Sequence, residues 1–402
     1  MRICGIVAEY NPFHNGHLHH IRQTRQLLGD DCAIVCCMSG NFVQRGEAAL
    51  LPKHIRARMA LACGADLVLE LPSAYALQSA EGFGSAAVYL LNALGVVTDL
   101  SFGSECGDIE LLQQIAAVLL EHRTIQDTLH LLQTGISYAA ARERALYQQI
   151  REKSAVIAHP NNILGIEYLK ALQTLNSTMV PHTVSRAGAG HDAEAPAESM
   201  ASASHLRSLL RDPQPGDPSP YMPAEAHRLL QKAAADGMAL TDFSRWDAAA
   251  STYFLRLTPE QLAQLPDAAE GLEHRLHGAI HSCRTFDAIC TAAKTKRYTL
   301  SRIRRMLLCA YLGITREDTL SPPPYARVLA FNDTGRSVLR QATEATAVPL
   351  ITKPAHIRQL SPRAVSLFEK EVLATDLYNA ALPAYHQLPI GAEWQQGAHY
   401  SK

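Results

Sequence analysis

Short apolar runs alternate with helix-like patterns through the first part of the chain. The runs are rich in Val, Ile and Leu and too short for helices, and they are Ile3–Ala8, Ala33–Met38, Leu67–Leu71 and Val96–Phe102. Between them, apolar residues recur at helical spacing in His17–Leu28, His54–Cys63, Ala80–Leu94 and Ile109–Glu121. Uniformly apolar runs are typical of parallel strands that are buried on both faces. The alternation therefore predicts an α/β fold with a doubly wound parallel sheet.

Polar, glycine-containing segments follow three of the predicted strands. They read AEYNPFHNGH after the first strand, MSGNFVQRGE after the second and FGSE after the fourth. Ligands of doubly wound sheets bind beyond the carboxyl ends of the strands, where each strand hands over to a helix. We therefore expect the three segments to meet in one site.

The residue composition and the hydrophobic pattern of the chain change after residue 211. The segment RDPQPGDPSPYMP contains five prolines and predicts a Pro-rich linker over 212–223, so that a first domain spans 1–211. Beyond the linker the pattern is mostly helical, which predicts a second domain over 224–402. This domain includes a small mixed α/β piece near 323–360, where YARVLAFN is strand-like.

The composition is that of an ordinary soluble protein, with 47% hydrophobic and 19% charged residues among 402. The net charge of −1 does not by itself indicate a nucleic-acid partner. No apolar stretch reaches membrane length, and the start turns polar too early for a signal peptide. The nine cysteines form no CxxC pair, which excludes a zinc ribbon. These features predict a cytoplasmic protein without a membrane partner, and none indicates an oligomeric state.

Four histidines cluster where the first helix is predicted to begin: His14, His17, His19 and His20. Asn11 and Pro12 break the chain before them, and Gly16 lets backbone and ligand approach closely. A helix N-terminus offers unpaired N–H groups and a positive dipole end, which suit a phosphate chain. Imidazoles placed there can donate hydrogen bonds to a phosphorus centre as charge builds. This HxGH arrangement therefore indicates nucleotidyl transfer from ATP.

Two other interpretations of the cluster compete with nucleotidyl transfer. His14, His17 and His20 could converge on a metal ion, but Glu9 is the only nearby carboxylate, so the zinc signature is weak. The cluster could also be a histidine-rich helix start without chemistry. Its place directly after the first strand of an α/β pattern favours the phosphate site, and no metal site is predicted.

An ordered set of motifs along the chain resembles the tRNA(Met) cytidine acetate ligase family. In chain order the motifs are AEYNPFHNGH, MSGNFVQRGE, DLVLELP, FGSE, PNNILGIEYLKAL and TKRYTLSRIRRMLL. The resemblance covers nearly the whole chain and is weakest in the linker and the last twenty residues. It implies an HxGH, Rossmann-like nucleotidyltransferase domain followed by a mostly helical, tRNA-binding domain.

The resemblance also implies a two-step reaction. Acetate and ATP form acetyl-adenylate and pyrophosphate, and the acetyl group then passes to N4 of the wobble cytidine in elongator tRNA(Met). Because acetate is already ionised at neutral pH, this chemistry needs positioning and charge stabilisation rather than a dedicated base. Magnesium is expected from the ATP chemistry, although no ligand set is visible. Glu9 and Glu105 follow strands and are candidates to hold it through water, but ordinary structural carboxylates are the more common case.

The family's functional residues map onto several positions of this chain. The catalytic pair corresponds to His14 and His17. The ATP-binding stretch corresponds to Val7, Ala8, Glu9, Tyr10, Asn11, Pro12, Phe13, His14, Asn15, Gly16, His17, Leu18, His19 and His20, and further nucleotide contacts correspond to Gly103, Asn161 and Arg186. Asn161 is also a good helix cap, so capping is an alternative role. For the loop MSGNFVQRGE, Gln44 and Arg45 are candidates without a defined role.

The segment MASASHLR departs from the pattern of related nucleotidyltransferases. Ser204 stands where those enzymes carry threonine, although the hydroxyl is retained. Ser202, Ser204 and Arg207 are therefore candidates for phosphate binding, as is Arg186, since a guanidinium matches phosphate oxygens bidentately. A solvated surface position is the alternative for both arginines.

The segment AAKTKRYTLSRIRRMLL carries the strongest local charge. Its candidates for tRNA binding are Lys294, Lys296, Arg297, Arg302, Arg304 and Arg305. On a helix, Arg302, Arg304 and Arg305 would lie largely outside the buried stripe, and Tyr298 could stack on a base. A solvated helix face is the alternative.

Two rival functions remain open at this point. An adenylyltransferase for a small metabolite, of the phosphopantetheine or nicotinamide nucleotide type, would share the HxGH site but leave the basic second domain unexplained. A non-catalytic RNA-binding protein could retain only the nucleotide pocket, although intact His14 and His17 disfavour it.

Overall fold

The computed structural model describes residues 1–186, 201–212, 216–241 and 244–402 of the chain. The strands are β1 (Ile3–Ala8), β2 (Ala33–Ser39), β3 (Phe42–Val43), β4 (Glu47–Ala48), β5 (Leu67–Leu71), β6 (Asp99–Ser104), β7 (Val180–Ser185), β8 (Ala326–Phe331), β9 (Leu350–Ile351) and β10 (His399–Tyr400). The four predicted strands are all present, and the fourth begins three residues later than its apolar run.

The helices before residue 212 are α1 (Asn15–Leu28), α2 (Lys53–Ala62), α3 (Ser73–Ala76), α4 (Ala80–Ala93), α5 (Ile109–Leu120), α6 (His122–Leu132), α7 (Tyr138–Ile150), α8 (Pro160–Thr174) and α9 (Ala203–Arg211). Those after it are α10 (Ala224–Ala235), α11 (Ser244–Phe254), α12 (Pro259–Ala263), α13 (Leu272–Ser282), α14 (Phe286–Ala293), α15 (Leu300–Tyr311), α16 (Asp333–Ala345) and α17 (Pro362–Asn379). None of the helices in the described ranges is long and apolar enough to cross a membrane.

The main sheet has the strand order β10-β8-β5-β2-β1-β6-β7 and is mostly parallel. Alternate side chains of its central strands enter two different cores, as the two-residue period of a strand requires. Val35 and Cys37 join the core formed with α4 and α8, whereas Ile34 and Cys36 join the core formed with α1, α2 and α10. Helices therefore cover both faces, which confirms the doubly wound α/β prediction.

The strand near residue 326 pairs differently from what the domain division assumes. The sequence analysis assigns the mixed piece near 323–360 to the second domain, but β8 runs antiparallel beside β5 and so extends the sheet of the first domain. Without it, β5 would expose an unpaired edge, which sheets avoid. Periodicity can locate such a strand, but it does not reveal which strand lies beside it.

The helices after the proline-rich segment pack around an aromatic cluster. Trp246 contacts Phe286 and Tyr311 with ring centroids 4.9 and 5.7 Å apart, and Phe254 lies 6.3 Å from Tyr311. This cluster ties α11 to α14 and α15. Part of the predicted linker, 213–215, lies outside the described residues, and Ser219–Tyr221 forms a short 3-10 turn.

Candidate active site

The HxGH segment occupies the end of β1, the loop after it and the first turns of α1. Two buried rings anchor the loop. The Tyr10 hydroxyl lies 3.2 Å from the sulfur of Cys36 on β2, and the Phe13 ring packs 4.8 Å from that of Tyr10. The side-chain nitrogen Nδ2 of Asn15 donates to the carbonyl of Pro220 at 3.0 Å. The stretch from Val7 to His20 thus forms one continuous structural unit.

His14 and His17 form the cap of α1 and lie against each other. Nδ1 of His14 accepts a hydrogen bond from the N–H of Gly16 at 3.0 Å, and Nδ1 of His17 accepts one from the N–H of His14 at 3.2 Å. Their rings stack with centroids 3.7 Å apart. A nitrogen that accepts from an N–H carries no proton, so each neutral ring carries its proton on Nε2. The pair therefore offers two adjacent Nε2–H donors.

Gly16 is the residue that lets this cap form. A Cβ at position 16 would lie 2.9 Å from Cε1 of His14, closer than side-chain contacts tolerate. The glycine of HxGH is therefore required by the first histidine as well as by close approach of a ligand.

Burial keeps both histidines of the HxGH motif neutral. It lowers the pKa of His14 to about 3, with the positive charges of Arg186 and Arg207 acting in the same direction. Burial, followed by His14 and Arg186, holds the pKa of His17 well below the usual value. Neutral Nε2–H donors suit charge that develops on a phosphate, because they need no counterion when the site is empty.

We expect the imidazoles of His14 and His17 to remain neutral with Nε2 protonated from pH 8 down to pH 5. Nitrogen-15 NMR of histidine-labelled protein distinguishes the two tautomers and follows their titration. The exposed His130 on α6 supplies the internal reference signal. Signals assigned through His14→Ala and His17→Ala that titrate near pH 6.5 would contradict the assignment.

The other two histidines of the cluster have different surroundings. His20 Nε2 lies 2.9 Å from the hydroxyl of Ser101 on β6, and burial lowers the pKa of His20 to about 4. Leu18 and His19 are half-buried on α1. Within the described ranges, no group of three or more His, Cys, Asp or Glu side chains is placed to hold a metal ion.

A second set of predicted residues meets beside the end of β6. Arg186 Nη1 donates to the side-chain oxygen of Asn161 at 3.2 Å, and the side-chain nitrogen Nδ2 of Asn161 donates to Glu105 at 2.6 Å. Gly103 lies under Arg186, with a notional Cβ 3.4 Å from the arginine Cγ. The structure therefore brings Gly103, Asn161 and Arg186 together, whereas the sequence AGAG that follows Arg186 lies outside the described residues.

The two carboxylates considered as magnesium ligands are engaged in the protein. Glu105 caps α8, because its two oxygens accept from the N–H groups of Asn161 and Asn162 at 3.1 and 2.8 Å. Burial opposes its ionisation, but these hydrogen bonds outweigh burial and lower its pKa. Glu9 accepts from the N–H of Gln44 at 2.8 Å, and burial raises its pKa. Neither residue fits a protein-held magnesium site.

The hydroxyl-rich segment forms the start of α9. Ser202 is the N-cap and accepts from the N–H of His205 at 3.1 Å. Ser204 accepts from Arg207 Nη2 at 3.2 Å, and Arg207 Nη1 reaches the carbonyl of Asn11 at 2.9 Å. Arg207 is thus placed beside the HxGH loop, while Ser202 has a capping role.

Sequence reasoning missed two residues that contact predicted site residues. Arg56 is fully buried and donates to the carbonyls of Leu51, Glu9 and Ser39 at 2.9, 2.5 and 3.1 Å, as well as to that of Gly40. Burial lowers its pKa to about 10. Glu47 lies 3.5 Å from Arg207. Glu47 ends a motif already singled out, whereas nothing marks Arg56 in the sequence.

The arginines of the basic segment are mostly paired with acidic residues. The pairs are Arg297 and Arg302 with Glu270 at 3.2 and 3.1 Å, Arg304 with Glu47 and Asp287 at 2.9 and 2.8 Å, and Arg305 with Asp267 at 2.8 Å. Lys294 and Lys296 are exposed. The segment is therefore less positive than its sequence indicates.

Two expectations for this segment need correction. Arg305 does not lie outside the buried stripe, because it is only 7% exposed. Tyr298 is also buried, and its hydroxyl donates to the carbonyl of Glu270 at 2.5 Å, so its ring is not presented to a base. The partners of both side chains lie in the segment between α12 and α13: the carboxylate of Asp267 pairs with Arg305, and the backbone carbonyl of Glu270 accepts from Tyr298.

Comparison with known proteins identifies the family. The family model described as HIGH Nucleotidyl Transferase matches residues 1–389. The tRNA(Met) cytidine acetate ligase of Acetivibrio thermocellus is 37% identical over 393 residues, 94% of each chain. That of Caldanaerobacter subterraneus is 38% identical over 394 residues, 95% of this chain and 96% of its own.

Solved structures agree with this assignment. Thermotoga maritima TmcAL, crystallised with alpha-thio ATP, superposes with a TM-score of 0.93 at 30% identity and covers 100% of this chain and 99% of its own. Its apo form gives a TM-score of 0.92 at the same identity and coverage. The resemblance stated from the motifs is confirmed, and the chain belongs to the tRNA(Met) cytidine acetate ligase family of HIGH nucleotidyltransferases.

Proposed function

We propose that this protein joins acetate to the wobble cytidine of elongator tRNA(Met), using ATP and forming N4-acetylcytidine. The observation that carries the proposal is the pair of neutral Nε2–H donors of His14 and His17 at the N-terminus of α1. The names of the similar enzymes and the alpha-thio ATP bound to the Thermotoga protein support it.

In the first step, an acetate oxygen attacks the α-phosphorus of ATP. The bond from that phosphorus to the bridging oxygen breaks, and pyrophosphate leaves with the electron pair. His14 and His17 stabilise the negative charge on the phosphate oxygens through Nε2–H, together with the N-terminal amides of α1. Arg207 Nη1 contacts the carbonyl of Asn11 in the HxGH loop at 2.9 Å, and the positive charges of Arg186 and Arg207 both act on His14. These two guanidinium groups are therefore proposed to bind the same phosphates.

In the second step, the acetyl group moves from the adenylate to N4 of cytidine, and AMP leaves. The exposed Lys294 and Lys296 are the basic-segment residues best placed to meet the tRNA backbone. The paired arginines contribute only where phosphates displace their carboxylate partners. A reduced intracellular compartment agrees with the nine free cysteines.

The two rival functions explain fewer of the features of this protein. A metabolite adenylyltransferase would explain the HxGH site, but similarity to the tRNA(Met) ligases extends over 94% of the chain. A binding protein without catalysis would not require the two Nε2–H donors to be aligned and neutral.

Acetate-dependent exchange of labelled pyrophosphate into ATP tests adenylate formation on the purified protein. Mass spectrometry of tRNA(Met) nucleosides then tests the transfer. We expect exchange only with acetate, and N4-acetylcytidine only when tRNA(Met), acetate and ATP are all present. Absence of exchange with acetate, with and without tRNA, would overturn the proposal.

A further inference from the structure

A shallow cavity of about 560 Å³ that is open to solvent lies between the β3–β4 hairpin and α9. It is lined by Glu47, Ser204, Arg207, Ser208, Arg211 and Asp212. Arg207 joins it to the HxGH loop, since one of its terminal nitrogens contacts the carbonyl of Asn11 at 2.9 Å and the other lies 3.5 Å from Glu47. A single guanidinium therefore separates the carboxylate in the cavity from the loop that carries His14.

Glu47 is held in place by α15. Gly46 before it has φ of 76°, and a Cβ there would lie 2.6 Å from Cβ of Arg304 and 2.7 Å from the backbone nitrogen of Arg305. Arg304 Nη1 donates to Oε1 of Glu47 at 2.9 Å. A carboxylate has about four acceptor positions, so these contacts do not saturate it. The Glu47 side chain remains 23% exposed, which leaves Oε2 able to accept from a ligand.

The donor and acceptor pattern of the cavity matches cytosine. The pairing edge of cytosine presents an amine at N4 and acceptors at N3 and O2. Glu47 supplies an acceptor for the amine. The second Nη1–H of Arg207, which Asn11 does not use, and the hydroxyl proton of Ser204, which only accepts from Arg207, supply donors. Uracil would instead turn a carbonyl oxygen toward the carboxylate, which costs a hydrogen bond and adds repulsion.

We propose that this cavity is the subsite for the acceptor cytosine and that Glu47 accepts the hydrogen bond of its exocyclic amine. This inference rests on the proposed function. During transfer, N4 attacks the acetyl carbonyl carbon, and the bond from that carbon to the AMP phosphate oxygen breaks. AMP departs with the electron pair, and the proton released from N4 passes to Glu47 and then to water. Glu47 thus acts in the second step only.

Glu47→Gln separates the two steps of the reaction. Glutamine keeps an acceptor oxygen but cannot take the proton, and loss of such a group lowers rates by about 10²–10⁴. We expect acetyl transfer to tRNA(Met) to fall at least about tenfold, while acetate-dependent exchange without tRNA stays within about threefold of wild type. Asp287→Asn is the matched control, because Asp287 also pairs with Arg304 but is 78% exposed and lies outside this cavity. It should leave both steps unchanged.

Ser208→Trp tests the cavity without disturbing a buried residue. Ser208 is exposed on α9, so an indole there should fill the cavity while the fold is retained. Exchange should persist and transfer should be lost. The inference is overturned if this variant transfers normally, or if Glu47→Gln slows exchange and transfer equally, which would mean that Glu47 only positions Arg207. A wild-type protein without acetate-dependent exchange would instead overturn the proposed function itself.

Discussion

Replacing His17 with alanine is expected to lower acetate-dependent ATP–pyrophosphate exchange by a factor of about 10²–10³, the usual effect of removing one preorganised donor from a site of developing charge. The Nε2–H of His17 is lost, and the remaining donor of His14 loses its stacking partner. Because the donor acts on the transition state, kcat should fall more than the KM for ATP rises.

The same variant also loses an N-cap contact, since Nδ1 of His17 accepts from the N–H of His14. That contact contributes about 1 kcal/mol, so the fold should survive and the melting temperature should fall only slightly. Arg22→Ala provides the matched control, because Arg22 lies on the exposed face of the same helix. Exchange by His17→Ala within threefold of wild type would contradict the role of the HxGH pair.

The parts of the fold that follow from local pattern were predictable from the sequence. Buried parallel strands are apolar throughout, so the run Ala33–Met38 marks β2 without any knowledge of its neighbours. The same is true of the HxGH segment, because a strand end, a chain break and a helix start lie within one short stretch. The tautomers of His14 and His17, however, depend on which backbone N–H group donates to each ring, and this contact is visible only in the three-dimensional structure.

What sequence reasoning could not supply are contacts between distant segments. Arg304 faces Glu47, which lies 257 residues earlier in the chain, and β8 pairs with β5 across a similar separation. The sequence therefore overestimates the positive charge of the basic segment, because the carboxylates that neutralise its arginines lie elsewhere in the chain and nothing near the segment marks them. The same limitation hides Arg56, whose partners are backbone carbonyls that every residue possesses.

Lys53→Met is expected to destabilise the protein by about 3–5 kcal/mol, which is the usual cost of leaving a buried charge unpaired. Lys53 is 1% exposed, and its ammonium lies 2.5 Å from Glu70 and 3.2 Å from Glu393. Arg327 contacts the same two carboxylates. Without Lys53, two buried carboxylates share one cation. Because α2, β5, β8 and the C-terminal segment meet at this cluster, the loss should loosen the C-terminal segment from the sheet.

Urea unfolding followed by tryptophan fluorescence measures this effect. Trp394 directly follows Glu393 and packs 4.7 Å from Phe368, so it reports on the cluster. The only other tryptophan, Trp246, lies in the helical part and is removed as Trp246→Phe in the background used for both proteins. If Lys53→Met and wild type unfold with the same urea midpoint, the cluster contributes no net stability.

Glu371→Gln is the matched control within the same cluster, and its effect should depend on pH. Burial, reinforced by Glu70, raises the pKa of Glu371 to about 8, so the carboxyl is largely protonated at neutral pH and an amide replaces it at little cost. A folded-state pKa above the unfolded value of about 4.3 stabilises the fold below that pH and loses this contribution as the pH rises toward 8. The stability of wild type relative to Glu371→Gln should therefore decline between pH 5 and pH 8, whereas groups that titrate in both proteins cancel in this difference. A variant as destabilised at pH 6 as Lys53→Met would mean that Glu371 is ionised in the folded protein, with its charge held by Lys53.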